Sequence, residues 1–387
     1  MQALRPLEGL HVLDLTHVIA GPYATYLLAT LGAEVIRIEP LGGDSLRHRS
    51  GSDAALRAAG MGTGFQAQGG NKTCLFLDLN QAEGRAEFLD LLADADVLVD
   101  NFRPGVMDRM GLSTPTLLAR RPDLIHCSLS GYAPEDRRAD WPAYDNVIQA
   151  ASGLMALSGT KDTGPLKSGA PIVDYASGMM MAFSITSALY ARAQGTQGGQ
   201  NLQISMQETA QAMMGSVIAD HLATGSQPAA KGNAAGSGMP ASGCFETANG
   251  TLAIGANEAH QFTALLEVLG ISGLMQDPRF ADDDARRKHA SVLGELLEEA
   301  LAAHSAEEWE ERLNCAGVPA ARVRSLPEAV AETRKSGSPF LAGDPGLPTV
   351  PLRLNNASPR LARCPGPVGN DGVRFFTRRT AQKGSDR

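Results

Sequence analysis

The stretch His11–Glu39, HVLDLTHVIAGPYATYLLATLGAEVIRIE, decides the fold. HVLDL is short and apolar and predicts a strand. GPYATYLLATLG repeats apolar residues at helical intervals up to Gly32, and AEVIRIE is a second strand. Strand, turn, helix and strand in that order make a βαβ unit, the building block of a doubly wound parallel sheet. The turn, THVIAGP, lacks the GxGxxG fingerprint, so a dinucleotide pyrophosphate site of that type is not supported.

The alternation continues on the C-terminal side of this stretch. TCLFLDLN predicts a strand, EGRAEFLDLLADA a helix, DVLVDN a strand, Pro115 to Arg120 a helix, and LIHCSLSGY and QNLQISM two further strands. PLGGDSLRHRSGSDAALRAAGMGTGFQAQGGNK, after Glu39, reads as a long polar loop of the kind that carries function or motion. A separate module spans residues 225–321. It opens on KGNAAGSGMPASG, continues with the hairpin signal CFETANGTLAIGAN, where Asn249-Gly250 suits a tight turn, and ends in three amphipathic helices near Gln261–Leu269, Ser291–His304 and Ala306–Ala316. The tail beyond Val323 is rich in proline and is expected to hold strands and rejoin the first domain. The expected fold is α/β: a large domain with a doubly wound, mainly parallel sheet from residues 1–224 and 322–387, and a smaller α+β domain from 225–321.

Of the 387 residues, 43% are hydrophobic and 20% charged, an ordinary globular balance. The net charge of −8 argues against a nucleic-acid partner, which needs a basic face. The N-terminus lacks the order of a signal peptide, and the apolar run from Met179 to Ala191, interrupted by Ser184, Thr186 and Ser187, is short for a bilayer; no membrane partner and a cytoplasmic location are expected. Five scattered cysteines without CxxC fit reduced thiols, and eight histidines without HxH or HExxH give no reason to expect a metal.

Two features can carry chemistry. Asp174 stands where a Gly/Pro-broken segment, SGAPIVD, meets an apolar helix ending near Arg192. It reads either as an N-cap, which would satisfy first-turn N–H groups, or as a nucleophile. Basic residues gather at strand ends: Arg37, Arg47, Arg49, Lys72, Arg103 and Arg109. In an open α/β sheet that edge faces the ligand crevice, and positive charge there suits phosphates. In NFRPGV a strand delivers Asn101 and Phe102 into a turn fixed by Pro104, and Phe102 offers a platform for a flat ring.

PLEGLHVLDLTHVIAGPYAT, LGAEVIRIEPLGGDSLR, NKTCLFLDLNQAEGRAEF, DNFRPGVMDRMGL, PAYDNVIQAASGLMALSG and GAPIVDYASGMM, in this order and spacing, resemble the class III CoA-transferases, a superfamily that includes formyl-CoA transferase, carnitine CoA-transferase and α-methylacyl-CoA racemase. The likeness runs from about Pro6 to Phe280 and, more weakly, through CPGPVG near Pro365. It implies an interlocked homodimer, coenzyme A or acyl-CoA as substrate with no covalently bound cofactor, and a small carboxylic acid as second partner. It also implies that Asp174 attacks the acyl-CoA thioester. An enzyme carboxylate can hold the acyl group as a mixed anhydride and so keep the thioester energy from water.

The resemblance also places the other site residues. GNAAGSGMP looks like a glycine loop over the active site, with Gly236 and Gly238 at matching positions; Ala235, Ser237 and Met239 replace the Gly, Gly and Gln of the formyl-CoA branch. The CoA-binding candidates are His17, Val18, Ala20, Leu77, Asn101, Phe102, Arg109 and Met110, with Arg47 and Lys72 near the nucleotide phosphates. Pro40 and Pro142 stand where the formyl branch has basic residues. Arg49 and Gly64 replace its aromatic diacid contacts, which argues against oxalate and makes Arg49 a candidate for a second substrate carboxylate. The racemase branch carries a His just before an Asp where this chain has Tyr144 and Asp145. A tyrosine, with an ordinary pKa of about 10, is a poor proton shuttle, so Tyr144 becomes a substrate-side residue and transfer is favoured over α-carbon racemisation.

Overall fold

The computed structural model describes residues 4–341, 347–361 and 363–367. The chain divides into two compact units. The larger holds the described residues up to Met155, Lys167–Gln227 and the described residues from Arg334 on; the smaller holds Ala156–Leu166 and Pro228–Thr333.

The large unit is built on six parallel strands: β1 (His11–Asp14), β2 (Glu34–Glu39), β3 (Lys72–Phe76), β4 (Val97–Asp100), β5 (Ile125–Ser130) and β6 (Gln200–Ser205), in spatial order β3-β2-β1-β4-β5-β6. Successive residues of a strand enter different cores. Val12 packs with Val97 and Val99 against α1 (Ala20–Thr30) and α9 (Ile172–Ala193), whereas Leu13 packs with Ile36 and Leu98 against α5 (Ala82–Leu92) and α7 (Thr114–Arg120). Burial on both faces explains why β1 and β4 read as apolar runs without alternation. Strand β6, at the sheet edge, alternates exposed and half-buried residues instead. The order reverses between β1 and β4, so the turns after these two strands open the crevice where such sheets bind ligands.

Residues 40–71 are not one long loop. They hold three short helices, α2 (Ser45–Arg49), α3 (Ala54–Ala58) and α4 (Thr63–Gly69). Asp44 and Asp53 cap the first two, each accepting from backbone N–H groups of the first turn, and that local chemistry overrides the polar, Gly-rich composition. The remaining helices of this unit are α6 (Val106–Arg109), α8 (Asp145–Ala151), α10 (Met206–Ala212) and α11 (Gly215–Thr224).

Helix α9 is longer than its apolar run, and by length and composition it is apolar enough to cross a membrane. Its buried face, including Val173, Ser177, Met181, Ile185 and Ala188, belongs to the core shared with α1. The two helices approach closely at Gly178, where a Cβ would lie 2.6 Å from the Ala20 carbonyl oxygen.

In the small unit β7 (Ser242–Glu246) and β8 (Thr251–Gly255) form the expected hairpin, with a four-residue connection, Thr247–Gly250, in place of a two-residue turn. Strand β9 (Ala320–Arg322) pairs antiparallel with β8. Helices α12 (Ala259–Val268), α13 (Asp283–Lys288), α14 (Ala290–Leu301) and α15 (Ala306–Cys315) complete a second core around Leu265, Leu297 and Trp309. Beyond Val323 a helix, α16 (Leu326–Lys335), replaces the expected strands. Arg322 and Arg324 reach Glu328 and Glu332 along it, tying it to β9. The later tail lies against the large unit, where Arg363 bonds the Lys72 carbonyl and Gly366 accepts from Arg47. Val368 and Gly369 of CPGPVG and the rest of the tail lie outside the described residues.

Candidate active site

Two cavities meet at the sheet's switch point. A groove of about 720 Å³ is lined by residues of the turns after β1, β2, β3 and β4, including His17, Leu77, Asn101, Phe102, Arg109 and Met110. A smaller cavity of about 150 Å³ is lined by His17, Val18, Ala20, Asn101, Phe102, Tyr144 and Asp174, together with Arg103 and Trp141. His17, Asn101, Phe102 and Arg103 line both, so the structure brings together eight of the CoA candidates read from the sequence and sets them beside Asp174.

Asp174 is not a cap. Helix α9 begins at Ile172 with Pro171 before it, which puts Asp174 inside the first turn. The capping comes from another helix. The Asp145 carboxylate, at the start of α8, accepts from Val173 N at 2.8 Å and from Asp174 N at 3.1 Å. Gln149 donates to the other Asp145 oxygen at 2.5 Å and accepts from Ser168 N at 2.9 Å. Among the described residues the Asp174 carboxylate itself has no hydrogen-bond partner, and it is turned to the cavity. Burial, and then the negative charge of Asp145, push its carboxyl up from 3.8 to about 7. A helix N-terminus would by itself favour the ionised form, but Asp145 has already taken the Val173 and Asp174 N–H groups.

The turn after β1 is held on several sides. Asn101 accepts from His17 N at 2.9 Å and donates to His17 O at 2.8 Å. Val18 adopts φ +66°, a strained conformation for a β-branched residue, and its N–H donates to Asp44 at 3.1 Å. Asp44 is anchored in turn by buried Arg37 at 2.8 Å. In the amide orientation that satisfies its neighbours, Gln68 donates to the Val18 and Ile19 carbonyls at 3.2 Å each. Helix α1 starts at Ala20 with Pro22 in its first turn, so the Ala20 and Gly21 N–H groups have no intrahelical partner, and Val18, Ile19 and Ala20 line the Asp174 cavity. The His17 ring lies 5.6 Å from that of Phe102, and burial holds its imidazole below the ordinary 6.5.

Asp44, Gln68, Asp145 and Gln149 were not singled out from the sequence. For Asp145 the signal was present, an Asp at a helix start. The other partnerships depend on chain crossings that local sequence does not reveal.

The structure buries two of the basic residues expected near the phosphates. Arg47 and Lys72 are fully buried, not exposed to a phosphate. Arg47 makes two bonds of 2.7 Å to Glu39, donates to the Gly60 and Gly366 carbonyls and lies 3.7 Å from the Phe65 ring centroid. Lys72 spends its three donors on Asp14, Pro22 O and Thr25 at 2.9, 2.8 and 2.7 Å. Both are internal scaffold. Arg49, exposed at the end of α2, lines neither cavity. Gly236 and Gly238 lie exposed in turns of the small unit. The Gly238 N–H is engaged with the Ala235 carbonyl at 3.0 Å, so in this conformation it is not a free donor. Tyr144 precedes α8 and is 65% exposed at the mouth of the Asp174 cavity. No group of three or more His, Cys, Asp or Glu side chains placed to hold a metal occurs among the described residues.

A nucleophile-sized carboxylate beside a long groove at the edge of a parallel sheet fits acyl transfer, and comparison with known proteins names the family. The family model for CoA-transferase family III matches residues 7–371. The chain belongs to CoA-transferase family III. It is 36% identical over 352 residues to the acetyl-CoA:oxalate CoA-transferase of Acetobacter aceti, covering 88% of each chain. It is 32% identical to the succinyl-CoA–D-citramalate CoA-transferase of Chloroflexus aurantiacus, covering 94% of this chain and 90% of that one. A CAIB/BAIF family protein from Brucella suis superposes with a TM-score of 0.84 at 29% identity, over 97% of this chain and 99% of that one. The chain is therefore an enzyme, a CoA-transferase whose substrates are an acyl-CoA and a carboxylic acid, and the α/β class read from the sequence holds.

Proposed function

We propose that this CoA-transferase works through a covalent intermediate on Asp174 and that its acids are short dicarboxylates. The observation that carries the reading is the continuity of the Asp174 cavity with the groove through His17, Asn101, Phe102 and Arg103. A CoA thioester laid along the groove delivers its carbonyl carbon to an unpaired carboxylate.

The ionised Asp174 oxygen attacks the thioester carbonyl, and collapse of the tetrahedral species expels CoA thiolate and leaves an acyl-aspartyl anhydride. The thiolate attacks the Asp174 carbonyl carbon, releases the donor acid as a carboxylate and leaves an aspartyl-CoA thioester. The acceptor carboxylate attacks that thioester and expels the thiolate again. The thiolate then attacks the acceptor's carbonyl carbon, forming the new acyl-CoA and freeing Asp174. Each tetrahedral stage needs preorganised donors, worth roughly 3–4 kcal/mol apiece in comparable sites. The N–H groups at the start of α1 fit that role.

The dicarboxylate reading is supported by the names of the relatives, whose acids are oxalate and D-citramalate with a succinyl donor. Oxalate, disfavoured on the replaced aromatic residues, returns as a candidate acceptor. A homodimer is part of the proposal. Met179, Phe183 and Tyr190, at 51%, 66% and 68% exposure, share one face of α9 and fit an apolar interface. A cytoplasmic location fits the five free thiols.

The test is transfer of CoA from labelled acetyl-CoA or succinyl-CoA to a panel of mono- and dicarboxylic acids, read by chromatography of the acyl-CoA products. New acyl-CoA formed from diacids supports the reading. Deuterium entering the α-carbon of an acyl-CoA without any acceptor exchange would instead establish a racemase.

A further inference from the structure

Asp100, at the end of β4, and His126, on β5, form a buried pair that the transfer steps leave unused. His126 is 6% exposed and Asp100 3%, and His126 Nε2 lies 2.7 Å from Asp100 Oδ2. Both side chains sit on the sheet face that Leu98 and Leu124 give to the core against α5 and α7. The second Asp100 oxygen accepts from the Phe102 N–H at 3.1 Å. One carboxylate therefore joins β5 to the turn that carries Phe102, whose ring lines both the groove and the Asp174 cavity. The bond to the carboxylate sets a proton on His126 Nε2 and leaves Nδ1, which is buried and without a hydrogen-bond partner among the described residues. A buried polar atom left unpaired costs stability, and an apolar side chain of similar size would fill the place without that cost. Packing alone does not account for the imidazole; the hold on Asp100 does.

We propose that His126 is a positioning residue for coenzyme A: it fixes the Asp100 carboxylate, and the carboxylate fixes, through the Phe102 N–H, the angle at which the Phe102 ring meets the ligand. The inference rests on the placement of CoA along the groove proposed above and adds to it a support one strand away that touches no ligand. Asn101 ties the same turn sideways to the turn after β1, by two hydrogen bonds to the His17 backbone. Asp100 holds it from below. A ring already fixed in its bound position loses little freedom when the ligand arrives, whereas a ring on a loosened turn must be ordered at the expense of affinity.

The test measures the Kd for coenzyme A by isothermal titration in His126→Leu, His126→Gln, Phe102→Ala and the double variant His126→Leu/Phe102→Ala. Kd is expected to rise about fivefold in His126→Leu, the cost of ordering a freed side chain, and about tenfold in Phe102→Ala, the loss of an aromatic contact. In His126→Gln the side-chain amide can still donate to Asp100, so Kd is expected to stay near the wild-type value. The double variant should bind no more weakly than Phe102→Ala, because without the ring His126 has nothing to position. Partial unfolding would lower the binding stoichiometry and leave Kd in place. Losses that add in the double variant, or a wild-type Kd in His126→Leu, overturn the proposal. A wild-type Kd in Phe102→Ala overturns the placement of CoA against that ring, and the proposal with it. Should His126→Leu not fold, Asp100→Asn, which keeps the shape of the carboxylate and removes its charge, takes its place in the cycle with the same expected and overturning results.

Discussion

Replacing Asp145 with Asn isolates the charge that α8 sets beside the nucleophile. Asp145 does two things at once: it caps α9 through Val173 N and Asp174 N, and it places a negative charge next to the Asp174 carboxyl. An amide oxygen can keep the two capping bonds, so the substitution removes the charge and leaves the helix anchored. Asp174 sits at about 7 in place of 3.8, with burial the larger cause and Asp145 the smaller. Removing the smaller cause therefore returns less than half of that displacement, and the midpoint falls while staying well above 3.8. At about pH 6, below the wild-type midpoint of about 7, the variant then carries more of its ionised form. Acylation by the ionised form should be severalfold faster in Asp145→Asn at that pH and nearly equal to wild type at about pH 8. The assay is single-turnover release of CoA thiol from an acyl-CoA across that pH range. The new amide must also turn its nitrogen away from the Gln149 donor, which costs about 1–2 kcal/mol of stability and calls for work well below the melting temperature. A midpoint that stays put or moves to higher pH in a folded Asp145→Asn protein would refute the electrostatic account of Asp174.

Other consequences follow from the same geometry. The folded Asp174 carboxyl keeps its proton up to about 7 and the unfolded one only to 3.8, so its ionisation costs the native state nothing below 3.8 and the full amount above about 7. Asp174→Asn should therefore raise the melting temperature at about pH 8 and hardly at about pH 4; a gain that grows on acidification would contradict this. Lys72→Met strands the buried Asp14 carboxylate and should cost about 3–5 kcal/mol in urea denaturation, without weakening CoA binding by the protein that remains folded. A phosphate ligand would show the opposite pattern, intact stability and lost CoA affinity, in isothermal titration. Gly178→Ala drives a methyl into the Ala20 carbonyl at 2.6 Å and should cost about 1–3 kcal/mol. It should also lower kcat, because the helix that moves carries Asp174; unchanged melting and turnover would show that α9 has slack.

The parallel sheet was legible because β1 to β5 carry apolar runs and α1 and α5 apolar residues at helical spacing, patterns that local sequence prints directly. Asp174 was legible as a junction residue, and the family strings around it pointed to its chemistry. The fates of Arg47 and Lys72 were not legible. A basic residue at a strand end reads the same whether it faces a phosphate or turns inward to Glu39 or Asp14, and only the fold brings those carboxylates near. The helices of residues 45–69 hid behind glycine and polar composition, although Asp44 and Asp53 were visible as caps. The strained Val18 leaves no mark in sequence, since its φ is imposed by Asp44 and Gln68 from elsewhere in the chain.

The central claim is a covalent bond at Asp174, and the most direct measurement is mass spectrometry of the Asp174 peptide after hydroxylamine is added during turnover with an acyl-CoA and an acceptor acid. Hydroxylamine cleaves an aspartyl anhydride or thioester at its carbonyl carbon. The account predicts Asp174 converted to its hydroxamate, with loss of activity that depends on acyl-CoA being present. An Asp174 peptide that stays unmodified, together with an Asp174→Ala protein that turns over at the wild-type rate, would contradict it.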